Sequence, residues 1–367
     1  MKYYIIAGEA SGDLHASNLI KEIKRNDPQA NFRCWGGDLM KAEGAEIVKH
    51  YRDLAFMGFL EVITNLRTIL KNIDFCKLDI LQYQPDVLIL VDYPGFNLRI
   101  AEFAHKCNLK IVYYISPQIW AWKQSRIKKI KRDVDLMLVI LPFEKDFYKK
   151  FNFDSVFVGH PLLDAIESKT PSSDFRKQNN LGNNPIISLL PGSRKQEINV
   201  MLPLMINAVK SFKGYHFVVA GAPSINKEFY KDLMNEDVTI VYNQTYDLLQ
   251  HSEAALVTSG TATLETALFN VPQVVCYKGN RISYLIARQL IKIKYISLVN
   301  LIMDKEVVKE LIQDELSIEN IKVELKKVLS DGINRNRQLM DYNDLKGRLG
   351  GNGASIRAAA EIQNLIS

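Results

Sequence analysis

The chain has 367 residues, of which 47% are hydrophobic and 24% charged, and its formal net charge is +6. That length allows two or three domains with sizeable cores, the composition excludes a disordered chain, and the modest positive charge favours anionic partners. The four cysteines, Cys34, Cys76, Cys107 and Cys276, are far apart and form no CxxC pair, which excludes a disulfide framework and a zinc site.

Taken from the start, residues 2–7 read as a strand, the segment Gly8–Asp13 as a Gly-rich loop, and a helix is expected from about residue 14. Glycines let a ligand approach the backbone, and a helix N-terminus favours anions or sugar oxygens, so Glu9, Ser11 and Gly12 are candidates for sugar contact. A plain capped turn is the other reading. His15 either touches substrate or lies on the helix surface. The opening apolar run is too short for a signal peptide, and no stretch approaches about 18 apolar residues, so a cytoplasmic chain without a spanning segment is expected. Residues 55–63 (AFMGFLEVI) are core by default; alternatively Met57, Phe59 and Leu60 open to an acyl chain.

Residues 86–92 (DVLILVD) have the pattern of a buried parallel strand. Asp92 at its carboxyl end would face a crevice with low-dielectric walls, which raises a carboxyl pKa and suits a general base. The competing reading is a cap for the next helix. Residues 110–115 and 134–141 continue the series. Between them, residues 119–132 (IWAWKQSRIKKIKR) place Trp120 and Trp122 ahead of Lys128, Lys129 and Lys131. Tryptophan beside basic side chains suits an anionic membrane surface; a solvated helix with Trp packed inward is the alternative, and no nucleic-acid motif is present. Asp133 and Asp135 have D-x-D spacing but open an apolar strand, and the six histidines are dispersed, so neither metal nor cofactor is expected.

A second series starts near residue 185, with strands at 186–190, 216–220, 239–242, 254–258 and 273–277, each followed by a helical pattern. Gly192, Ser193 and Arg194 follow the first of these. Ser193 and Gln196 have capping-box spacing, and Arg194 can grip a phosphate with two hydrogen bonds. Ser259, Gly260 and Thr261 open another helix, with Glu265 in its first turn or so as an acceptor for ribose hydroxyls. Two phosphate loops in one half argue for a diphosphate. The expected architecture is α/β: two Rossmann-like doubly wound domains facing a cleft, with a helical C-terminal tail. The first domain is expected over 1–165, and the second, which carries the two phosphate loops, over 166–340. Residues 341–367 are expected to be helices that pack back on the first domain or exchange in a homodimer.

GEASGD at 8–13, FMGFLEV at 56–62, SPQIWAW at 116–122, LPFEKDFY at 141–148, VGHPLLD at 158–164, LPGSR at 190–194, SGTATLE at 259–265 and SLVNLI at 297–302 together resemble the lipid-A-disaccharide synthases. The resemblance implies a glycosyltransferase-B fold and an inverting, metal-free transfer. The donor would be UDP-2,3-diacylglucosamine and the acceptor 2,3-diacylglucosamine 1-phosphate, met at the inner face of a bacterial inner membrane. It also implies that Asp92 is the base, that Arg194 and Glu265 belong to the nucleotide site, and that Asn300 lies near the active site. Gly95 departs from the family, many members of which carry a second acid there. A UDP-N-acetylglucosamine 2-epimerase of the same fold, or a non-catalytic binder of nucleotide or anionic lipid, is the rival expectation.

Overall fold

The computed structural model describes residues 1–54, 66–169, 172–234, 237–280 and 294–366. The chain divides into two compact units: Met1–Ser168 with Leu349–Ser367, and Lys169–Arg348.

In the first unit the described strands form one parallel sheet. They are β1 (Lys2–Ala7), β2 (Asn31–Gly36), β3 (Glu46–His50), β4 (Val87–Val91), β5 (Lys110–Tyr114), β6 (Leu136–Val139) and β7 (Val156–Phe157), in the order β3-β2-β1-β4-β5-β6-β7. The central strands are apolar on both faces because helices cover both, and every side chain of β4 is buried. In the second unit β8 (Ile186–Leu190), β9 (His216–Gly221), β10 (Val238–Tyr242), β11 (Ser252–Thr258), β12 (Gln273–Tyr277) and β13 (Lys309–Ile312) are ordered β10-β9-β8-β11-β12-β13. All these pairings are parallel.

Both sheets wind outward in two directions from their first strand. The order reverses between β1 and β4 in one unit and between β8 and β11 in the other. At such a point the loops at the strands' carboxyl ends part and leave a crevice.

The first helix begins at Ala10, earlier than residue 14, so most of the expected loop is its first turn. Gly12 makes this start fit: a Cβ there would lie 3.1 Å from Ala7 Cβ. Asp13 is buried and accepts hydrogen bonds from Gly37 N at 2.8 Å and Leu39 N at 3.1 Å, tying this helix to the segment after β2. His15 is neither a surface group nor exposed to substrate. It is buried near His160, and burial holds its imidazole down to about 4.

After the helix Arg335–Arg348 the chain returns to the first unit. Leu349 O accepts from His160 N at 3.0 Å, and the helix Ala354–Ile366 packs on the helix Ala10–Asn26. Asp164 caps this last helix, accepting from Gly353 N at 2.6 Å and Ser355 N at 2.8 Å.

Candidate functional site

The reversal in the second unit creates a cavity of about 410 Å³. It gathers the loop after β8, with Leu190, Gly192, Ser193 and Arg194, and the loop after β11, with Thr258, Ser259, Gly260 and Thr261. Glu197, Glu265 and Thr245 complete its wall, together with Gly221, Ala222 and Pro223. Two helices, Lys195–Val209 and Thr261–Leu268, start at its edge, and their first-turn amides carry partial positive charge.

Local chemistry explains these loops. Gly192 has φ of +107°, and a Cβ there would lie 2.7 Å from a Glu197 carboxylate oxygen. The expected Ser193–Gln196 capping box is not formed. The helix starts one residue later, with Arg194 at its N-cap in extended conformation, and Glu197 accepts from Ser193 N, ahead of the cap, at 3.4 Å. The same carboxylate accepts from Arg194 Nη1 at 3.4 Å, and the arginine side chain is 64% exposed at the cavity wall. Thr258 is buried, and its Oγ1 has no protein partner among the described residues. Ser259 Oγ donates to Ile296 O at 3.0 Å, which holds the loop in place.

Glu265 lies in the second turn of its helix and lines the cavity. Burial raises its carboxyl pKa, and a hydrogen bond from Tyr246 Oη at 3.0 Å opposes that rise. Asn300 is placed differently. It is fully buried outside the cavity wall, and all four hydrogen-bonding positions of its amide are taken within the fold. Nδ2 donates to Val308 O at 2.8 Å and to Glu310 Oε1 at 2.9 Å, and Oδ1 accepts from Val307 N and Val308 N. Glu310 also accepts from Ile296 N and Ser297 N, so among the described residues Asn300 is linked to the cavity through the Ile296–Ser259 contact.

The reversal in the first unit brings the other two loops together. Gly8 lies under the Tyr93 ring, where a Cβ would sit 2.4 Å from Tyr93 Cγ. Asp92 and Tyr93 both have left-handed backbone, with φ of +42° and +48°, a strained pair for residues other than glycine. The strain is held by Asn97 Nδ2 and Tyr113 Oη, which donate to Asp92 O at 2.7 and 2.6 Å. Tyr93, not Asp92, is the N-cap of the helix Pro94–Lys106, and that helix has no side-chain cap. The Asp92 carboxyl is therefore not spent as a cap. Burial pushes it up to about 7, the Glu9 carboxylate adds to the rise, and the Tyr93 amide opposes it. Ser11 is exposed in the first helical turn beside Glu9, and Gly95 is exposed with open space around it.

The basic-aromatic stretch splits in two. Trp120 is half-buried, donates Nε1 to Glu144 Oε1 at 3.2 Å and meets the Phe143 ring edge-on at 4.9 Å. Trp122 is 44% exposed, with Lys123 Nζ 4.6 Å from its ring centre. Lys128 is exposed, Lys129 pairs with Glu102 at 3.5 Å, and Lys131 donates to Phe151 O at 2.7 Å. Asp133 is buried against Arg132, and Asp135 accepts from Ile111 N, so the D-x-D pair is engaged within the fold. Among the described residues no group of three His, Cys, Asp or Glu side chains gathers, and no helix is long and apolar enough to cross a membrane. Met57, Phe59 and Leu60 lie outside the described residues.

Sequence reasoning passed over Glu144, Glu197, Tyr246 and the loop 221–223. Glu144 carried a signal, an acid at the third helical position after Pro142; it accepts from Leu141 N at 3.0 Å, and burial pushes its carboxyl up to about 7. The Gly-Ala-Pro after β9 repeats the strand-loop pattern of its neighbours. Nothing local marks Tyr246.

Among solved structures, a UDP-N-acetylglucosamine 2-epimerase from Neisseria meningitidis bound to UDP-GlcNAc matches with a TM-score of 0.71, over 99% of this chain and 100% of that one, at 12% identity. A kitacinnamycin glycosyltransferase matches with a TM-score of 0.67, at 12% identity over 100% and 99% of the two chains. These likenesses show the fold alone, that of the glycosyltransferase-B enzymes. The sequence relatives are closer. A lipid-A-disaccharide synthase of Syntrophus aciditrophicus is 38% identical over 99% of this chain and 97% of its own length, and one of Myxococcus xanthus is 37% identical over the same shares. One of Coxiella burnetii is 35% identical over 99% and 98%. The profile of the lipid-A-disaccharide synthetase family spans residues 3–361, and with relatives this similar along their whole length the chain belongs to that family of glycosyltransferases.

Proposed function

We propose that this enzyme transfers a diacylglucosaminyl group from UDP-2,3-diacylglucosamine to the primary hydroxyl of 2,3-diacylglucosamine 1-phosphate. The products are the β-1,6-linked lipid A disaccharide 1-phosphate and UDP. The observation that carries the reading is the second unit's cavity, where two helix N-termini and Arg194 converge on one space of about 410 Å³. That is the arrangement a diphosphate requires. The Neisseria epimerase of like fold binds a nucleotide sugar of this class.

Asp92 of the first unit takes the proton from the acceptor hydroxyl as that oxygen bonds to the donor's anomeric carbon and the bond to UDP breaks. A carboxyl held near about 7 is matched to this task. Arg194 and the amides at the starts of the helices Lys195–Val209 and Thr261–Leu268 stabilise the charge that accumulates on UDP. Inversion follows from direct displacement.

The lipid substrates require access from a surface. The helix Leu66–Tyr83 exposes Leu70, Phe75, Leu78 and Leu81 on one side, directly after the apolar segment 55–63. With exposed Trp122 and Lys128, this supports peripheral contact with an anionic membrane at the inner face of the inner membrane. Mass spectrometry of products from the two monosaccharide lipids tests the reaction. Release of UDP without a disaccharide product would reject it.

A further inference from the structure

Tyr246 opens no recognisable motif, yet it is fixed beside the cavity by three contacts. Its ring lies 5.1 Å from Phe269 and 5.2 Å from Lys169 Nζ, and its hydroxyl donates to Glu265 Oε1 at 3.0 Å. Thr245, its neighbour, lines the cavity together with Glu265. The ring is therefore held from two sides while one oxygen reaches the carboxylate that faces the ligand space.

A carboxylate has two oxygens and about four acceptor positions. One bond from Tyr246 fixes the carboxylate's rotation and leaves the remaining positions for a ligand with two adjacent hydroxyl donors. We propose that Tyr246 is a positioning residue that sets Glu265 to read the 2′,3′-diol of the donor's ribose, so that the enzyme selects ribonucleotide over deoxyribonucleotide sugars. This rests on the reading of the cavity as a nucleotide diphosphate site.

The pair has a second property. Burial raises the Glu265 pKa, and the Tyr246 hydroxyl opposes that rise by favouring the charged form. Among the described residues, the charged groups around it are Arg194 and Glu197, which line the same cavity, and Lys169, which lies over the Tyr246 ring and pairs with Asp247 at 3.7 Å. Without the hydroxyl, Glu265 should carry its proton to a higher pH and lose the ability to accept from both ribose hydroxyls.

The test is calorimetric binding of UDP and 2′-deoxy-UDP to the full chain as a function of pH, from mildly acidic to mildly alkaline buffer. The wild type should prefer UDP by about tenfold, the order of one hydrogen bond to a charged group. Tyr246→Phe, which keeps the ring contacts, should lose most of that preference at the low end and regain it at the high end. Glu265→Gln should lose it at every pH, and Tyr246→Phe added to Glu265→Gln should change nothing more. Tyr246→Met serves as the second variant if Tyr246→Phe does not fold. Arg194→Ala separates the two ideas: if it binds UDP as the wild type does, the diphosphate reading falls first. If Arg194→Ala weakens UDP while Tyr246→Phe keeps the wild-type preference across the range, the positioning role is overturned.

Discussion

The two units use one topological device for opposite electrostatic ends. In each, a doubly wound sheet reverses and two loops meet at the reversal. In the second unit the loops supply helix N-termini, an exposed arginine and small hydroxyl residues, so the space favours negative charge. In the first they bring Asp92 and Glu9 together with strained backbone beneath, so the space disfavours negative charge and holds a proton that would otherwise leave. In the proposed reaction, the first unit's setting suits a base that takes a proton near neutrality, and the second unit's suits a diphosphate. Sheet order decides where chemistry happens; the residues on the loops decide its sign.

The sharpest way to break this comparison is Asp92→Asn. Turnover should fall by about 10²- to 10⁴-fold, the usual contribution of a general base. UDP affinity should stay near normal, because the diphosphate loops belong to the other unit. The acid limb of kcat/KM should fall below about pH 7, since only the deprotonated carboxyl can accept a proton. Near-normal turnover in the folded variant would remove Asp92 from the mechanism.

Arg194→Ala should act on the other side, weakening UDP by about tenfold or more through loss of a charge-assisted contact. Titration of UDP reads this directly. An unchanged affinity would overturn the diphosphate reading of this cavity.

A stability effect sharpens the contrast further. A carboxyl whose folded pKa lies above its unfolded value costs stability as pH rises from the unfolded pKa through the folded one. Asp92→Asn should therefore stabilise the protein at pH 8, by up to about 2 kcal/mol after allowance for partial exposure, and change little at about pH 4. Asparagine also tolerates the left-handed backbone at this position. Denaturant melts at the two pH values check the sign, and destabilisation at pH 8 would show that the site is not strained by its charge. Gly8→Ala should do the reverse, costing about 1–3 kcal/mol because the new methyl group displaces the Tyr93 ring.

The smallest effect concerns the surface. Replacing Lys128, Lys129 and Lys131 with Gln should weaken binding to anionic vesicles by up to about 1 kcal/mol per charge, most for exposed Lys128, and less at high salt. Co-sedimentation equal to the wild type at low salt would leave the exposed face of the helix Leu66–Tyr83 as the docking surface.

The sequence by itself determined the central strands. Residues 186–190 and 273–277 are apolar runs that only a sheet covered on both faces can bury, and they form β8 and β12 without change. It also marked the four loops that follow such strands, since glycine and small polar residues at a strand's carboxyl end have little use in a core. What it could not show were β2, β3, β7 and β13, which are short, polar or both. Arg33 in β2 is held there by Asp79, from the distant helix Leu66–Tyr83, at 2.7 Å and by Glu46 of β3. Nor did it show that the four loops come in two pairs, because that follows from strand order, and order is set by packing of the whole sheet. The same limit hid Tyr246 and the setting of Asn300: a hydroxyl that aims at a carboxylate 19 residues away, and an amide saturated by Val307, Val308 and Glu310, are facts of tertiary geometry with no trace in local pattern.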